Sequence, residues 1–375
     1  MEEIEECKKP LLIVSDSMHN ADMYYLTRFL FNDPFVYLSM PHKGKDMLIV
    51  PQMEYERAKK ESIVKEIRST RDYGYALKLE ELILRILSLE GVNEIEVPGY
   101  FSLYSADRLR AEGIEVVPVE ELKMTKRREI KTEQELKYVR KAQRACEHAM
   151  GIAIERIKNS SVQGNLLVLN DEILTSERLK ADIEHDLIDH GCKCDAGEPI
   201  VSCGKKAANP HFSGHGALSA YEAIIIDIFP RLKTERYFAD MTRTVVKGEP
   251  GNELKEMYAA VKQAQDAALG IVKEGVTCKE VHNLVCDIFE DRGYDTIRGN
   301  GNSGFIHTTG HGVGLDIHET PSVGNNDYEL RKGNVITIEP GLYEPEVGGV
   351  RLEDMALVQK NSCENLTKNE KKFVV

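Results

Sequence analysis

The sequence contains no apolar run near the roughly 20 residues that cross a bilayer, and no basic run long enough to stand out as a binding patch. Its start, Met1-Glu-Glu-Ile-Glu-Glu-Cys7, is acidic where a secretory leader would be basic and then apolar. Each absence excludes a class of function. Without an apolar run no membrane partner is expected. With 49 Lys and Arg against 62 Asp and Glu, the net charge of −13 has the wrong sign for a phosphate backbone, so no nucleic-acid partner is expected either. The 8 cysteines are scattered, and the one close pair, Cys192-Lys-Cys194, is too tight for a C-x₂-C zinc knuckle. Free thiols in a reducing, cytoplasmic setting follow as the expectation.

What is present is a globular composition, 42% hydrophobic and 30% charged over 375 residues. That length exceeds one ordinary core, so two domains are expected. In residues 1–130 short apolar runs at 11–14, 36–38, 47–50, 94–97 and 114–117 read as strands. Helical periodicity runs through 77–89 and 103–109. This alternation predicts an α/β domain. A basic, helix-poor run at 126–131 marks the boundary. The second domain, 131–375, opens on Thr132-Glu-Gln-Glu135, where hydroxyl and carboxylate can each satisfy a free amide at a helix start. Leu136, Val139, Ala142, Cys146 and Met150 follow at helical spacing. Further helices are predicted over 166–190, 254–269 and 278–291, the last behind the capping box Thr277-x-x-Glu280. From Pro199 onward strands and glycines dominate, so the second domain reads as α+β.

The chemistry concentrates in His307-Thr-Thr-Gly-His311-Gly-Val-Gly-Leu-Asp-Ile-His318, three imidazoles within 12 residues. Glycines on both sides of His311 imply a backbone that passes close to something. Four acids lie in apolar, strand-like runs around it. Asp227 sits in Ala223-Ile-Ile-Ile-Asp-Ile-Phe229, Asp240 in Tyr237-Phe-Ala-Asp-Met-Thr-Arg-Thr-Val-Val246, Glu339 in Val335-Ile-Thr-Ile-Glu-Pro-Gly341, and Glu353 in Gly348-Gly-Val-Arg-Leu-Glu-Asp354. A charge inside such a run is costly to bury unless it is paired or binds metal. Lys233-Thr-Glu-Arg236 is expected to turn a hairpin carrying the first two acids, and Gly348-Gly349 to turn a second carrying the other two. Any one acid alone would read as a strand-end salt bridge. Four carboxylates neutralise two divalent cations, and the imidazole adds a neutral nitrogen ligand. An oxygen-rich set suits Mn²⁺, Fe²⁺ or Co²⁺. Such a pair, roughly 3.5–4 Å apart, holds a bridging hydroxide as nucleophile and polarises a carbonyl, which is amide or ester hydrolysis.

In that order, Asp227, Asp240, His311, Glu339 and Glu353 resemble the metal ligands of the pita-bread metallopeptidases, the family of methionine aminopeptidase, prolidase and aminopeptidase P. Asp240-Met-Thr-Arg-Thr, Gly310-His-Gly-Val-Gly, His318-Glu-Thr-Pro, Thr337-Ile-Glu-Pro-Gly and Val350-Arg-Leu-Glu-Asp resemble its signatures. Tyr24-Tyr-Leu-Thr-Arg-Phe29 is similar to the creatinase/prolidase-type N-terminal domain, which methionine aminopeptidases usually lack. The resemblance therefore implies the Xaa-Pro branch: a peptide substrate with proline second, two divalent ions (Mn first, with Co, Fe or Zn as alternatives), and a homodimer. It implies Glu339 as ligand and proton shuttle, His318 and His211 as catalytic histidines facing the substrate, and His307 and Arg351 as substrate-binding residues. Phe212, Phe305 and Tyr343 are candidate walls for a proline pocket, and His215 reads as a solvent-exposed loop residue.

Two departures shape the reading. Asp227 and Asp240 are 13 positions apart, a longer and more basic hairpin than is usual in prolidases. Several dipeptidases carry, just after His-Glu-x-Pro, an Arg suited to a dipeptide's free carboxylate; here Ser322 stands there. This favours an Xaa-Pro aminopeptidase, with the dipeptidase (prolidase) as alternative. A non-catalytic binding module is the remaining rival, but such family members lose ligands and all five are present. Gly299-Asn-Gly-Asn-Ser-Gly304 matches a dinucleotide fingerprint, yet a His-rich segment follows it instead of a helix, so a loop entering the site is expected.

Overall fold

The computed structural model describes residues 9–119, 126–299 and 301–375. The chain divides into two compact units, Met1–Arg128 and Glu129–Val375. This division falls two residues ahead of the expected 130/131 boundary. Ile130 already bridges Asn334, and the Lys131 amide donates to Gly333 at 2.9 Å, so these residues are tied to the later unit.

The first unit is one 6-stranded sheet in the order β4-β3-β2-β1-β5-β6. Its strands are β1 (Leu11–Ser15), β2 (Phe35–Met40), β3 (Lys45–Val50), β4 (Glu66–Ser69), β5 (Glu94–Pro98) and β6 (Glu115–Val119). β1, β2 and β3 pair antiparallel, whereas β4, β5 and β6 join parallel. Side chains alternate across the pleat, and both faces are covered. Leu12, Val36 and Leu38 pack with Ile83 and Ile86 of α3 (Leu79–Glu90) and Leu109 of α4 (Leu103–Ala111). Leu11, Ile13 and Tyr37 pack with Met23 of α1 (Ala21–Thr27) and Ala58 of α2 (Tyr55–Glu61). The expected strands and two helices are there. The short elements α1, α2 and β4 were not legible, since 7 residues barely complete two helical turns. Residues 126–129, read as helix-poor, are helical. Arg128 there pairs with buried Asp22 at 3.0 Å.

In the second unit, α5 (Glu133–Asn159) starts at the expected capping box, with the Thr132 amide 2.7 Å from Glu135 Oε2 and the Glu135 amide 3.3 Å from Thr132 Oγ1. The helix expected over 166–190 is only half helix. A small sheet of β7 (Ser161–Gln163), β8 (Leu166–Leu169) and β9 (Glu172–Ile173) comes first, then α6 (Ser176–Asp189). Asn170 and Asp171 both take positive φ, 55° and 63°, the backbone of a tight two-residue hairpin turn that no helix accommodates. Two helices, α7 (Asn252–Ile271) and α8 (Cys278–Asp291), fall where periodicity put them.

The remaining strands are β10 (Cys192–Lys193), β11 (Ile200–Cys203), β12 (Ile224–Ile228), β13 (Arg231–Leu232), β14 (Met241–Val245), β15 (Gly310–Gly312), β16 (Glu319–Val323), β17 (Val335–Ile338), β18 (Gly341–Glu344), β19 (Gly348–Arg351), β20 (Asp354–Val358) and β21 (Cys363–Asn365). They pair as β11-β12-β14, as β16-β15-β17-β20-β21, and as the two-stranded β18-β19 and β10-β13. Against them α7 and α8 bury Val261, Ala264, Val281 and Val285 on Ile336, Ile338, Val350 and Ala356. The acids thus emerge from strands backed by an apolar layer. Among the described residues no helix is long and apolar enough to cross a membrane, and the cysteines are free.

Candidate metal centre

The first acidic hairpin forms as expected. β12 and β14 pair antiparallel with Asp227 opposite Thr242, and the chain turns back where Arg236 takes φ 71°. The second differs. Gly348-Gly349 does not turn the chain but lies inside β19, opposite Glu344 and Tyr343 of β18. Space explains the glycines: a Cβ at Gly349 would sit 2.1 Å from the Ala207 carbonyl. Glu339 therefore directly follows β17 and Glu353 directly precedes β20, and those two strands pair with Ile338 opposite Asp354.

His311 lies mid-strand in β15, between β16 and β17. Its flanking glycines permit that packing, because a Cβ at Gly310 would be 2.0 Å from the Thr337 carbonyl and one at Gly312 2.5 Å from that of Thr320. The His311 amide donates to Thr337 Oγ1 at 3.0 Å, and the Glu339 amide to the Thr309 carbonyl at 2.8 Å. These bonds set His311 Nε2 3.2 Å from Glu339 Oε1 and 3.6 Å from Asp240 Oδ2. Ligand-type atoms of Asp240, His311 and Glu353 all fall within 4.8 Å of one another. Asp227 joins through Arg351, whose Nη2 donates to Asp227 Oδ2 at 2.7 Å.

The electrostatics fit a dication pair. Among the described residues, the charges that stabilise these four carboxylates come chiefly from Arg351 and His311. Burial drives the Asp240 and Glu353 carboxyls well above the usual range, and Asp227 adds to the first and Asp240 to the second. Burial also raises Asp227, against the pull of Arg351. Burial opposes ionisation of Glu339 as well, but the hydrogen bond and charge of His311 bring it down to about 2. His311 in turn, lowered by burial, is lifted by Glu339 and Asp240 to about 9. Asp227 Oδ1 is buried with no hydrogen-bond partner. A carboxylate set short of positive charge, with one oxygen unsatisfied, matches the hard-oxygen preference of Mn²⁺-type ions.

The other expected residues are distributed unevenly. The His318 ring is exposed and meets His311 edge-on at 4.4 Å; burial and the His311 charge lower its pKa. Burial lowers His307 too, and its Nε2 lies 3.0 Å from the Tyr343 hydroxyl. His211 is exposed, and its charge is felt at both His307 and His318. Phe305 and Tyr343 are buried against His307, at ring distances of 5.1 and 5.5 Å. Phe212 instead meets the exposed His215 edge-on at 5.3 Å. Arg351 is buried, its guanidinium donating to Asp227, Tyr343 and Thr242, so it supports the acids.

Several contributors escaped the sequence. Thr242 Oγ1 donates to Glu353 Oε2 at 2.8 Å, and Thr337 Oγ1 to Glu339 Oε1 at 3.1 Å. Both threonines stand two residues from a ligand on the same strand face, and that spacing was the available signal. Glu319 accepts from the amides of Leu315 and Asp316 and from Lys131 Nζ at 2.9 Å, which pins the loop between His311 and His318.

Residues 137–360 match the model of metallopeptidase family M24, and residues 10–128 match the creatinase/prolidase N-terminal domain. The chain belongs to metallopeptidase family M24. It is 31% identical over 331 residues to an Xaa-Pro dipeptidase of Pyrococcus horikoshii, which covers 87% of this chain and 85% of that one. Among solved structures it resembles the prolidase from Pyrococcus furiosus, with a TM-score of 0.80 and 28% identity over 96% of this chain and 97% of that one. It likewise resembles the X-Pro aminopeptidase from Thermotoga maritima, with a TM-score of 0.82 and 25% identity over 98% and 97%. The expected fold, an α/β accessory domain before an α+β pita-bread catalytic domain, is the fold of this M24 chain.

Proposed function

We propose that this metallopeptidase hydrolyses the bond between an N-terminal residue and a following proline in peptides longer than two residues, as an Xaa-Pro aminopeptidase. Asp227, Asp240, His311, Glu339 and Glu353 would hold two divalent ions, Mn²⁺ in the first place, with Co, Fe or Zn as alternatives. Bound there, the ions supply a water acidic enough to ionise near neutral pH and an electrophile for the scissile carbonyl. Glu339, kept ionised, takes the proton of the attacking water and returns it to the prolyl nitrogen as the C–N bond breaks. His318 and His211, on the open side, donate N–H groups to the oxygen on which charge develops. His307, with Phe305 and Tyr343, forms a largely apolar wall for the proline ring. The protein acts in the cytoplasm as a homodimer.

The observation that carries the length preference is Ser322. In the β15-β16 register it stands directly opposite His311 and is exposed, offering a hydroxyl where a dipeptide's carboxylate would need a cation. A dipeptidase is the second reading, favoured by the name of the Pyrococcus horikoshii relative. Hydrolysis of an Xaa-Pro dipeptide and of the matching Xaa-Pro-Xaa tripeptide, each with Mn²⁺ and then with chelator, separates the two. Chelator-sensitive cleavage of the tripeptide alone supports the aminopeptidase, and cleavage of the dipeptide alone supports the second reading. No turnover of either by Mn²⁺-loaded protein overturns both.

A further inference from the structure

Where α5 packs along α6, two imidazoles close on one carboxylate. His148 Nδ1 lies 2.8 Å from Asp186 Oδ1, and His190 Nδ1 lies 3.5 Å from the same oxygen. The two rings are 4.5 Å apart and tilted by 42°. Potential ligand atoms of all three residues fall within 4.8 Å of one another. Asp186 is only 13% exposed, whereas the His148 and His190 side chains are 54% and 40% exposed, so the cluster has a sheltered floor and an open rim.

The neighbouring turn of the same seam makes the contrast. Asp182, four residues earlier on α6, is met by Arg156 at 3.0 Å and Arg178 at 3.4 Å. A guanidinium has no lone pair to offer a cation, but a neutral imidazole has one. One carboxylate of the seam is thus closed by arginines, and the next is furnished with two metal-ligating rings.

We propose that His148, Asp186 and His190 form a second metal site, separate from the acidic centre, for one Zn²⁺ or a similar imidazole-seeking divalent ion. Tetrahedral bonds of about 2.0–2.1 Å place adjacent ligand atoms about 3.3–3.5 Å apart. The 3.5 Å separation already fits, and the 2.8 Å one needs to open by about half an ångström, within reach of a small turn of the exposed His148 ring. Binding through Nδ1 replaces the His148 contact to Asp186 and the bond that His190 Nδ1 donates to the Asp186 carbonyl at 2.8 Å; each neutral ring gives up its Nδ1 proton and takes one up at the solvent-facing Nε2, so it stays a neutral imidazole with no net proton released. Water completes the fourth position. Two imidazoles and one carboxylate select a softer ion than the single-imidazole, four-carboxylate centre does. With one ligand from α5 and two from the end of α6, the ion cross-links the two helices.

Zinc retained after equilibrium dialysis is compared in the full-length wild-type protein, in His148→Gln, in His190→Gln, and in the acidic-centre variant Asp240→Asn. Wild type holds one equivalent more than either histidine variant, and Asp240→Asn keeps that equivalent. Zn²⁺ raises the Tm of Asp240→Asn but not that of Asp240→Asn/His148→Gln, and His148→Gln cleaves peptide at the wild-type rate. Equal zinc content in wild type and both histidine variants overturns the site, whatever the peptidase assay shows.

Discussion

Arg351 Nη2 donates to Asp227 Oδ2 at 2.7 Å while Nη1 of the same guanidinium donates to the Tyr343 hydroxyl at 2.8 Å. The fork fixes which carboxylate oxygen is occupied and leaves Oδ1 of Asp227 free to ligate. Lysine keeps the charge but not the two-pronged geometry. Arg351→Lys is therefore expected to weaken metal affinity by about 10–100-fold, with activity partly restored by excess Mn²⁺ and an unchanged circular dichroism spectrum. A metal titration that superimposes on wild type would remove this positioning role.

The ion pair of Lys131 Nζ with Glu319 Oε2, at 2.9 Å, is buried to within 2% on both sides. Removing one partner leaves the other charged and dry, at a cost of about 3–5 kcal/mol. Lys131→Met should show that loss in urea unfolding and should also lower kcat, because Glu319 holds the amides of Leu315 and Asp316 beside His318. Lys131→Met combined with Glu319→Gln neutralises both ends and should recover much of the stability. A single variant as stable as wild type would contradict the argument.

The acids, the imidazole and the glycines were legible because each violates a local rule: a charge in an apolar strand, or glycines where a strand wants side chains. The supporting shell was not, because Thr242 and Thr337 are ordinary strand residues whose value comes from register. Arg351 was visible, but its bond to Asp227 was not, since a sequence shows that a cation is near the site and not which way it points. The misplaced helix over 166–169 has a similar origin. Leu166-Leu-Val-Leu169 is equally apolar for helix or strand, and the positive φ at Asn170 and Asp171 decides.

His282 offers a pH test away from the ligands. It is 3% exposed, with Nδ1 2.9 Å from Thr309 Oγ1, and burial, followed by the charges of Arg298 and His307, lowers its pKa to about 4. The unfolded chain takes up this proton near pH 6.5. Between those values the unfolded state binds a proton that the folded state refuses, so this stabilisation is complete above about pH 6.5 and is lost as pH falls toward about 4. Tm measured from pH 7.5 down to 4.5 should fall less steeply in His282→Gln than in wild type. Parallel slopes would show that the ring does not titrate on unfolding.

Ser322 gives the sharpest test of substrate length. Its backbone pairs with His311, and its carbonyl accepts from Asn326 Nδ2 at 2.8 Å, so the position is fixed while the side chain stays exposed. A guanidinium introduced there would meet the free carboxylate of an Xaa-Pro dipeptide bidentately, but would find only a neutral peptide group in a longer substrate. Ser322→Arg is expected to raise the ratio of dipeptide to tripeptide kcat/KM by at least about tenfold, a difference of about 1.4 kcal/mol, mainly through a lower KM for the dipeptide. The ratio is read from the same paired substrates with the same Mn²⁺ loading. If it stays flat while the variant folds and binds metal, the substrate's C-terminus lies elsewhere, and the length preference must come from another wall of the cleft.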